Sequence, residues 1–374
     1  MSGFMPSHVL MTADTAGGVW NYALQLTEGL GRHDIEVTLV TMGRKPSLDQ
    51  LREVAPLSNL HLIATDLKVE WMADAAADLR EAGELLLDLE AKLAPDIVHV
   101  NGYANAAAGF LAPVVVVAHS CVPTWWQACR GTSPPPEWND YRRRLRNGIA
   151  AADCLVAPSH AFLQAFRDAN GWPRRVRVIP NGRDPLRFRR GDKRPFVLAA
   201  GRVWDEAKNL QLLARAAVGL RYPVLIAGDG DLPDPPANVT ALGRLGSAAL
   251  AERMAEAAVF AAPARYEPFG LAILEAALSG CALVLGDIPT LRELWDGAAE
   301  FIDPDDPDAL AAALDGLLAD PERAALAGSR ARARGLRYGA AAMARSYLTL
   351  YEELARETLP ARAPADPAAE PASA

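Results

Sequence analysis

The sequence predicts an α/β fold of two Rossmann-like domains, each with a parallel sheet, that face a central cleft. Short apolar segments of strand length alternate with segments of helical periodicity from His8 onward, which is typical of parallel sheets flanked by helices. The alternation stops between Arg174 and Arg194 and then begins again. A chain of 374 residues, of which 51% are hydrophobic, is long enough to build two cores.

The predicted first domain, residues 1–181, opens with a strand at 8–12, a turn through Gly17 and Gly18, and a helix at 19–30. Further elements are strands at 36–42, 61–64, 97–101, 114–119 and 154–158, and a helix at 72–93. Parallel sheets bind ligands at the carboxyl ends of their strands. Gly17, Gly18 and His119 lie at such ends, although two glycines alone are not the three-glycine dinucleotide pattern.

The predicted second domain, residues 182–340, repeats this architecture. The segment between Arg174 and Arg194 is rich in proline, glycine and arginine, which indicates a connection between domains. The elements after it are strands at 196–200, 223–227, 239–242, 259–262 and 283–286, and a helix at 209–217. An apolar stripe along 341–357 predicts a helix that packs back toward the first domain, and the Pro- and Ala-rich residues 358–374 are predicted to be disordered.

The turn after the strand at 259–262 leads into a helix and carries two acids. Glu267 lies in the turn, and the helix contains Glu275 and ends at Gly280, a residue typical of helix C-caps. Because helical side chains lean toward the N-terminus, the Glu275 carboxylate is expected to point back toward the turn that holds Glu267.

The start of this helix is a predicted anion site. The amide groups of Phe269, Gly270 and Leu271 have no acceptor inside the helix, and the helix dipole is positive there. A phosphate is the preferred anion, and the two carboxylates beside it would accept hydrogen bonds from sugar hydroxyls. The simpler interpretation is an acid favoured by the helix dipole and a partly buried glutamate paired elsewhere. The turn alone does not choose between the two.

Arg202 and Lys208 flank a loop between a predicted strand and the next helix. The chain has only five lysines among 38 basic residues, so a lysine at a helix start is uncommon for it. A compact ammonium suits a phosphate oxygen. Taken alone, the two residues are better explained as a surface arginine and a charged helix start, but the anion site predicted in the same domain reverses this and favours a phosphate role.

The charge and composition exclude several classes of protein. A net charge of −8 argues against a nucleic-acid partner, despite the basic run at 142–146. The apolar runs are too short to cross a bilayer and no leader pattern opens the chain, so we expect a cytoplasmic protein with at most peripheral membrane contact. The four cysteines lack zinc-like pairing. A metal site at His119, Cys121 and Cys129 is the weaker alternative to reduced thiols.

Five motifs together resemble the retaining glycosyltransferases of family four, also called group one glycosyltransferases, which have the GT-B fold. The resemblance spans about residues 8–357 and rests mainly on Glu267 and Glu275 with Arg202 and Lys208. The motifs are Gly17-Gly18-Val19, Val178-Ile179-Pro180-Asn181-Gly182, Gly201-Arg202 with Lys208, Gly228-Asp229-Gly230, and the segment 265–276.

The resemblance implies that the second domain binds a nucleotide-sugar donor. Arg202 and Lys208 would hold its diphosphate, assisted by the amides that follow Glu267. Glu275 would bind the ribose hydroxyls, and Glu267 would bind and position the transferred sugar.

The resemblance also implies roles for the opposite wall and for the nucleobase. Gly17 and Gly18 would let the backbone of the first domain approach the diphosphate and the acceptor. His119 would contact the donor sugar, with a core histidine as the alternative. The nucleobase would lie against the loop at Arg244 and Leu245.

As implied by the resemblance, the reaction retains the anomeric configuration by front-face attack, and it needs neither a metal ion nor a cofactor. The donor would be a UDP-sugar or else GDP-mannose, and the acceptor a glycan, a lipid-linked molecule or a small molecule. Trp125, Trp126, Trp138 and Tyr141, in a stretch predicted to be irregular, are candidates for stacking on the acceptor. Packing of these rings on the surface or in the core is the equally open alternative. The alternatives are a nucleotide-sugar-binding protein without transferase activity, and a phosphorylase or epimerase with the same fold.

Overall fold

The structure, a computed structural model, describes residues 5–362, with side chains described as far as residue 357. Two parallel sheets, each packed between two apolar clusters, form two α/β domains. The predicted fold class is therefore confirmed.

Within the described residues, the first domain is a parallel sheet of seven strands with helices on both faces. The strands are β1 (His8–Asp14), β2 (Glu36–Met42), β3 (Leu60–Ala64), β4 (Ile97–Val100), β5 (Val114–Val117), β6 (Cys154–Ala157) and β7 (Val176–Val178). The helices are α1 (Gly18–Gly31), α2 (Leu48–Val54), α3 (Ala76–Leu93), α4 (Val122–Arg130), α5 (Asn139–Ala151) and α6 (His160–Asn170). The strand order is β3-β2-β1-β4-β5-β6-β7. The interior strand β5, four valines, is buried along its whole length, as expected for a sheet covered on both faces.

The second domain, in the same described part of the chain, has a parallel sheet of six strands. The strands are β8 (Arg194–Ala200), β9 (Val224–Ala227), β10 (Val239–Gly243), β11 (Ala257–Ala262), β12 (Ala282–Gly286) and β13 (Glu300–Ile302). The helices are α7 (Leu210–Ala217), α8 (Ser247–Glu256), α9 (Leu271–Leu278), α10 (Pro289–Trp295), α11 (Pro307–Leu318) and α12 (Pro321–Gly335). The strand order is β10-β9-β8-β11-β12-β13. In both sheets the strand order reverses once, between β1 and β4 and between β8 and β11. Ligands bind at the carboxyl ends of the strands beside such a reversal.

The last helix, α13 (Ala340–Arg362), returns to the first domain. Its buried residues Met343, Tyr347 and Tyr351 join the apolar cluster of β1 and α1. The Tyr351 hydroxyl lies 2.5 Å from Nδ1 of the buried His99 on β4. The first core is thus completed by α13.

The segment predicted to be disordered, 358–374, begins inside this helix. α13 continues to Arg362, so residues 358–362 are helical and that part of the prediction is wrong. Residues 363–374 lie outside the described residues.

Two further local predictions are corrected by the structure. The segment between Arg174 and Arg194 contains the strand β7, which extends the first sheet beside β6. Its three residues, Val176–Val178, are too few for a recognisable period. The stretch after His119 is not irregular, because Val122–Arg130 and Asn139–Ala151 form α4 and α5. Its prolines and tryptophans hide a helical pattern that tertiary packing stabilises.

We expect Gly29→Ala to destabilise the protein through the contact between α1 and α13. A Cβ on Gly29 would lie 2.6 Å from the Ala344 Cβ, so the helices would have to separate, at a cost of about 1–3 kcal/mol. Thermal unfolding measures the loss. Gly219→Ala is the matched control, because a Cβ there meets nothing within 4 Å. Equal unfolding temperatures for the two variants would contradict the close packing of α13.

Candidate active site

The glycine turn after β1 approaches the second domain directly. Gly17 has a φ of +125°, which favours glycine, and a Cβ built on it would lie 3.7 Å from Arg202 Nη1. A Cβ on Gly18 would lie 3.6 Å from Leu271 Cδ1, at the start of α9. The turn therefore brings main chain, rather than side chains, to the predicted cation and to the predicted anion site.

Arg202 follows β8 and is held by Asp205. Its Nη2 lies 2.5 Å from Asp205 Oδ2, while Asp205 Oδ1 accepts a 3.1 Å hydrogen bond from Trp125 Nε1 of the first domain. Burial opposes ionisation of Asp205, but the charge and hydrogen bonds of Arg202, with the bond from Trp125, hold its pKa below the usual value. Asp205 therefore orients the guanidinium, which stays 47% exposed and accessible to a ligand.

Lys208 and Glu267 form an ion pair beside the helix start. Lys208 Nζ lies 2.5 Å from Glu267 Oε2, and the two side chains are only 25% and 15% exposed. Gly270 precedes α9 with a φ of +84°, and a Cβ there would lie 2.7 Å from Ile273 Cδ1. The backbone at Gly270 therefore requires glycine, which lets the turn fold tightly against the carboxylate. The structure brings the predicted lysine, acid and helix start together.

Glu275 has a partner that the sequence did not indicate. Its Oε1 lies 2.8 Å from Arg183 Nε, with both residues buried, although the angles do not make this contact a hydrogen bond. Burial raises the pKa of Glu275, Arg183 counteracts this rise, and Glu53 adds to it. Glu267 and Glu275 thus have separate cationic partners. Arg183 was missed because it lies in the segment interpreted as a connection.

His119 lies just after β5, at the carboxyl edge of the first sheet. Its Nε2 is 2.8 Å from Asn101 Oδ1, and its ring packs edge-on against Tyr22 with centroids 4.5 Å apart. The residue is half-buried, and the surrounding protein desolvates the ring and lowers its pKa to about 3. An uncharged ring held by an amide oxygen can present a neutral polar group to a ligand.

Several hydrogen bonds close one side of the cleft. The Tyr266 hydroxyl lies 2.8 Å from Thr124 Oγ1 and accepts from the Cys121 amide. Ser159 Oγ donates to the Pro268 carbonyl at 3.1 Å. These contacts connect the start of α4 and the start of α6 to the turn that carries Glu267. The first domain therefore helps to position that turn.

The remaining predicted site residues differ in exposure and in their contacts. Arg244 and Leu245 lie in the loop after β10, exposed and half-buried respectively. Tyr141 is buried in the first core and cannot stack on an acceptor, and Trp138 packs edge-on against it. Trp125 already donates to Asp205. Most of the predicted aromatic platform is therefore structural.

The described part of the chain has neither a metal-binding cluster nor a membrane-spanning helix. Among residues 5–357, no group of three or more histidine, cysteine, aspartate or glutamate side chains is arranged to hold a metal ion. The four cysteines are free thiols. None of the helices in the described part of the chain is long and apolar enough to span a bilayer.

The fold and this cleft define a glycosyltransferase of the GT-B class. The family described as Glycosyltransferase Family 4 matches residues 16–187, and the one described as Glycosyl transferases group 1 matches residues 194–320. The chain therefore belongs to the family-four, group-one glycosyltransferases, and the predicted resemblance is confirmed.

Two curated relatives have related sequences. The phosphatidyl-myo-inositol mannosyltransferase of Mycolicibacterium smegmatis is 30% identical over 232 residues, which are 57% of this chain and 55% of that protein. The D-inositol 3-phosphate glycosyltransferase of Nocardia farcinica is 28% identical over 396 residues, with 93% of this chain and 87% of that protein covered.

Two solved structures share the fold. The sucrose-phosphate synthase of Thermosynechococcus elongatus superposes with a TM-score of 0.78 at 21% identity and covers 94% of this chain and 100% of its own. Anabaena HepE in complex with UDP and glucose gives a TM-score of 0.73 at 16% identity, with the same coverage. At these identities the likeness concerns the fold alone.

We expect His99 and His119 to stay uncharged in the folded protein down to about pH 5, since their pKa values lie near 3. NMR titration of labelled histidines measures this, and His99→Gln and His119→Gln identify the two signals. A midpoint above about pH 5 for either ring would contradict the burial argument.

The lowered pKa values of His99 and His119 also determine how the stability of the fold changes with pH. Each unfolded histidine takes up a proton below its ordinary pKa of 6.5, whereas the folded one does so only near pH 3. Their neutral state therefore stabilises the fold above pH 6.5, and this contribution is lost as the pH falls toward 3.

Proposed function

We propose that this protein transfers a hexose from a nucleoside-diphosphate sugar to a hydroxyl of a glycan or small-molecule acceptor, with retention and without a metal ion. The observation that carries the proposal is the position of Arg202 and of the Lys208–Glu267 pair opposite the glycine turn at Gly17. Two cations, a glycine turn without side chains and the start of a helix lie close together. This combination suits a diphosphate.

The proposed roles follow from these positions. Arg202 and Lys208 bind the diphosphate, with the amides of Phe269, Gly270 and Leu271. Glu267, which holds Lys208, accepts hydrogen bonds from the transferred sugar. Glu275, with its carboxylate fixed by Arg183, is assigned to the ribose hydroxyls.

The chemistry depends on charge that develops during bond cleavage. The acceptor oxygen bonds to the anomeric carbon on the face that the diphosphate leaves, the carbon–oxygen bond to phosphate breaks, and its electron pair stays on the phosphate. The acceptor proton passes to that phosphate oxygen. Cations at the diphosphate stabilise this transition state more than the bound donor. His119, being uncharged, orients the sugar by hydrogen bonding instead of acting as an acid.

UDP is the favoured nucleotide, with GDP-mannose as the alternative donor. HepE, which shares the fold, has been solved with UDP and glucose. The name of the Mycolicibacterium relative describes mannosyl transfer, which keeps the second donor open.

The test is nucleotide release from UDP-glucose, UDP-N-acetylglucosamine and GDP-mannose by the full chain, with the anomer of each product determined by NMR. Transfer with retention in the presence of a chelator is expected. Binding of nucleotide without product would favour a binding protein, and a sugar phosphate or an epimer as product would favour the phosphorylase or epimerase alternative. Activity lost with chelator and restored by Mg²⁺ would contradict metal independence.

We expect Lys208→Ala to lower kcat by about a hundredfold or more, because a cation that stabilises the leaving phosphate is lost. Steady-state kinetics with the best donor measure the change, and calorimetry with UDP or GDP separates it from weaker binding. Lys92→Ala is the matched control, since its ammonium lies on α3, is 66% exposed and pairs with Asp88. Near-normal turnover in Lys208→Ala would remove this lysine from the mechanism.

A further inference from the structure

A cavity opens at the carboxyl edge of the first sheet, next to the glycine turn. Thr12 and Asp14, from the end of β1, and Asn101, which follows β4, form one wall. Asn101 also accepts the hydrogen bond of His119, so the cavity lies one residue away from the histidine of the proposed reacting side.

The polar lining of this cavity is acidic. Asp14 and Glu70 both contribute carboxylates, and none of the described residues that line it is a lysine or an arginine. The nearest cations acting on these acids are Arg202 and Arg144. Neither arginine lines the cavity. Arg202 is the residue proposed to bind the donor diphosphate, and Arg144 pairs with Asp140. A phosphate group in the cavity would therefore meet negative charge without a free cation.

Burial strengthens this preference for an uncharged ligand. Desolvation raises the pKa of both carboxyls, although backbone amides counteract it: Ala16 for Asp14, and Tyr103 and Ala104 for Glu70. A further anion would add to the cost of holding either group ionised. A hydroxyl, by contrast, donates a hydrogen bond to a carboxylate and brings no charge.

Two more lining residues point to a polyhydroxylated ring. Asn105 is only 8% exposed, and its Oδ1 has no hydrogen-bond partner, while its Nδ2 donates to Met42 Sδ. A buried acceptor without a partner is rare and suits a ligand hydroxyl. Trp71, at the edge of the cavity, is 44% exposed. Its flat apolar ring can cover the C–H face of a sugar while its N–H stays polar.

We propose that this cavity binds the acceptor, and that the acceptor is an uncharged polyhydroxylated ring, a sugar or cyclitol without a phosphate group. That the bound ring is the acceptor rests on the proposed function. The binding of such a ring to this cavity does not. The acceptor hydroxyl that attacks would lie on the His119 side, and the bond changes are those of the proposed transfer. The tryptophans of α4, considered from the sequence, do not line this cavity.

The inference is tested by measuring how matched pairs of probes bind to the full chain. Binding is measured by saturation-transfer NMR and by calorimetry, each with and without UDP. The pairs are D-glucose with glucose 6-phosphate, D-fructose with fructose 6-phosphate, and myo-inositol with myo-inositol 1-phosphate. At least one neutral probe is expected to bind about tenfold more tightly than its phosphate ester. Tighter binding of every ester, or no binding of any neutral probe, would overturn the proposal.

Single substitutions test whether the neutral probe binds in this cavity. Trp71→Ala is expected to weaken binding of the neutral probe about tenfold, and Glu70→Gln to reduce the preference over the ester, with unfolding temperatures checked for both. Trp172→Ala is the matched control, since this exposed tryptophan packs on Arg167 and lies outside the cavity. Identical losses in Trp71→Ala and Trp172→Ala would contradict the site.

The outcomes separate this inference from the proposed function. Trp71-dependent binding of a neutral probe without any nucleotide binding would leave the cavity assigned and refute the transfer. Turnover of a nucleotide sugar onto an ester alone would support the transfer and refute the neutral acceptor.

Discussion

The pairing of cations with carboxylates is the constraint on which the cleft depends. The pairs are Lys208 with Glu267, Arg202 with Asp205, and Arg183 with Glu275. A partly buried charge without a partner is costly, so the pairs let cations lie between two domains before a ligand binds. Each acid also fixes the direction of its cation. Donor binding then needs little rearrangement, which is a condition for electrostatic stabilisation of a transition state.

The connections between the domains explain how these pairs stay aligned. The chain crosses between the domains near Arg183 and returns near Gly339, and the two crossings are hydrogen-bonded side by side. A Cβ on Gly182 would lie 2.7 Å from the Gly339 carbonyl oxygen, so the crossings touch. Any change in domain angle must therefore bend both crossings together. Because Arg183 lies in one of them and holds Glu275, such a change would also reach the donor side.

The two sides of the cleft carry charges of opposite sign. The second domain presents cations at the glycine turn, whereas the cavity of the first domain presents Asp14 and Glu70. A charged donor and an uncharged acceptor would each meet complementary groups, and exchanging their positions would place phosphate against acid. The asymmetry gives the two halves of a repeated fold different chemistry.

The order of strands and helices, the turn at Glu267 and the pair Arg202 and Lys208 could be predicted from the sequence, because periodicity, glycine positions and short motifs are local properties. The partners of those residues could not. Arg183 is 92 residues from Glu275 and Asp205 is 80 from Trp125, and no local pattern links such pairs. Likewise the acidic cavity combines strand ends and a loop that only the tertiary fold brings together. The sequence alone determined the fold and several groups near the cleft, and the tertiary structure decided which group each one meets, since pairing depends on distances in space.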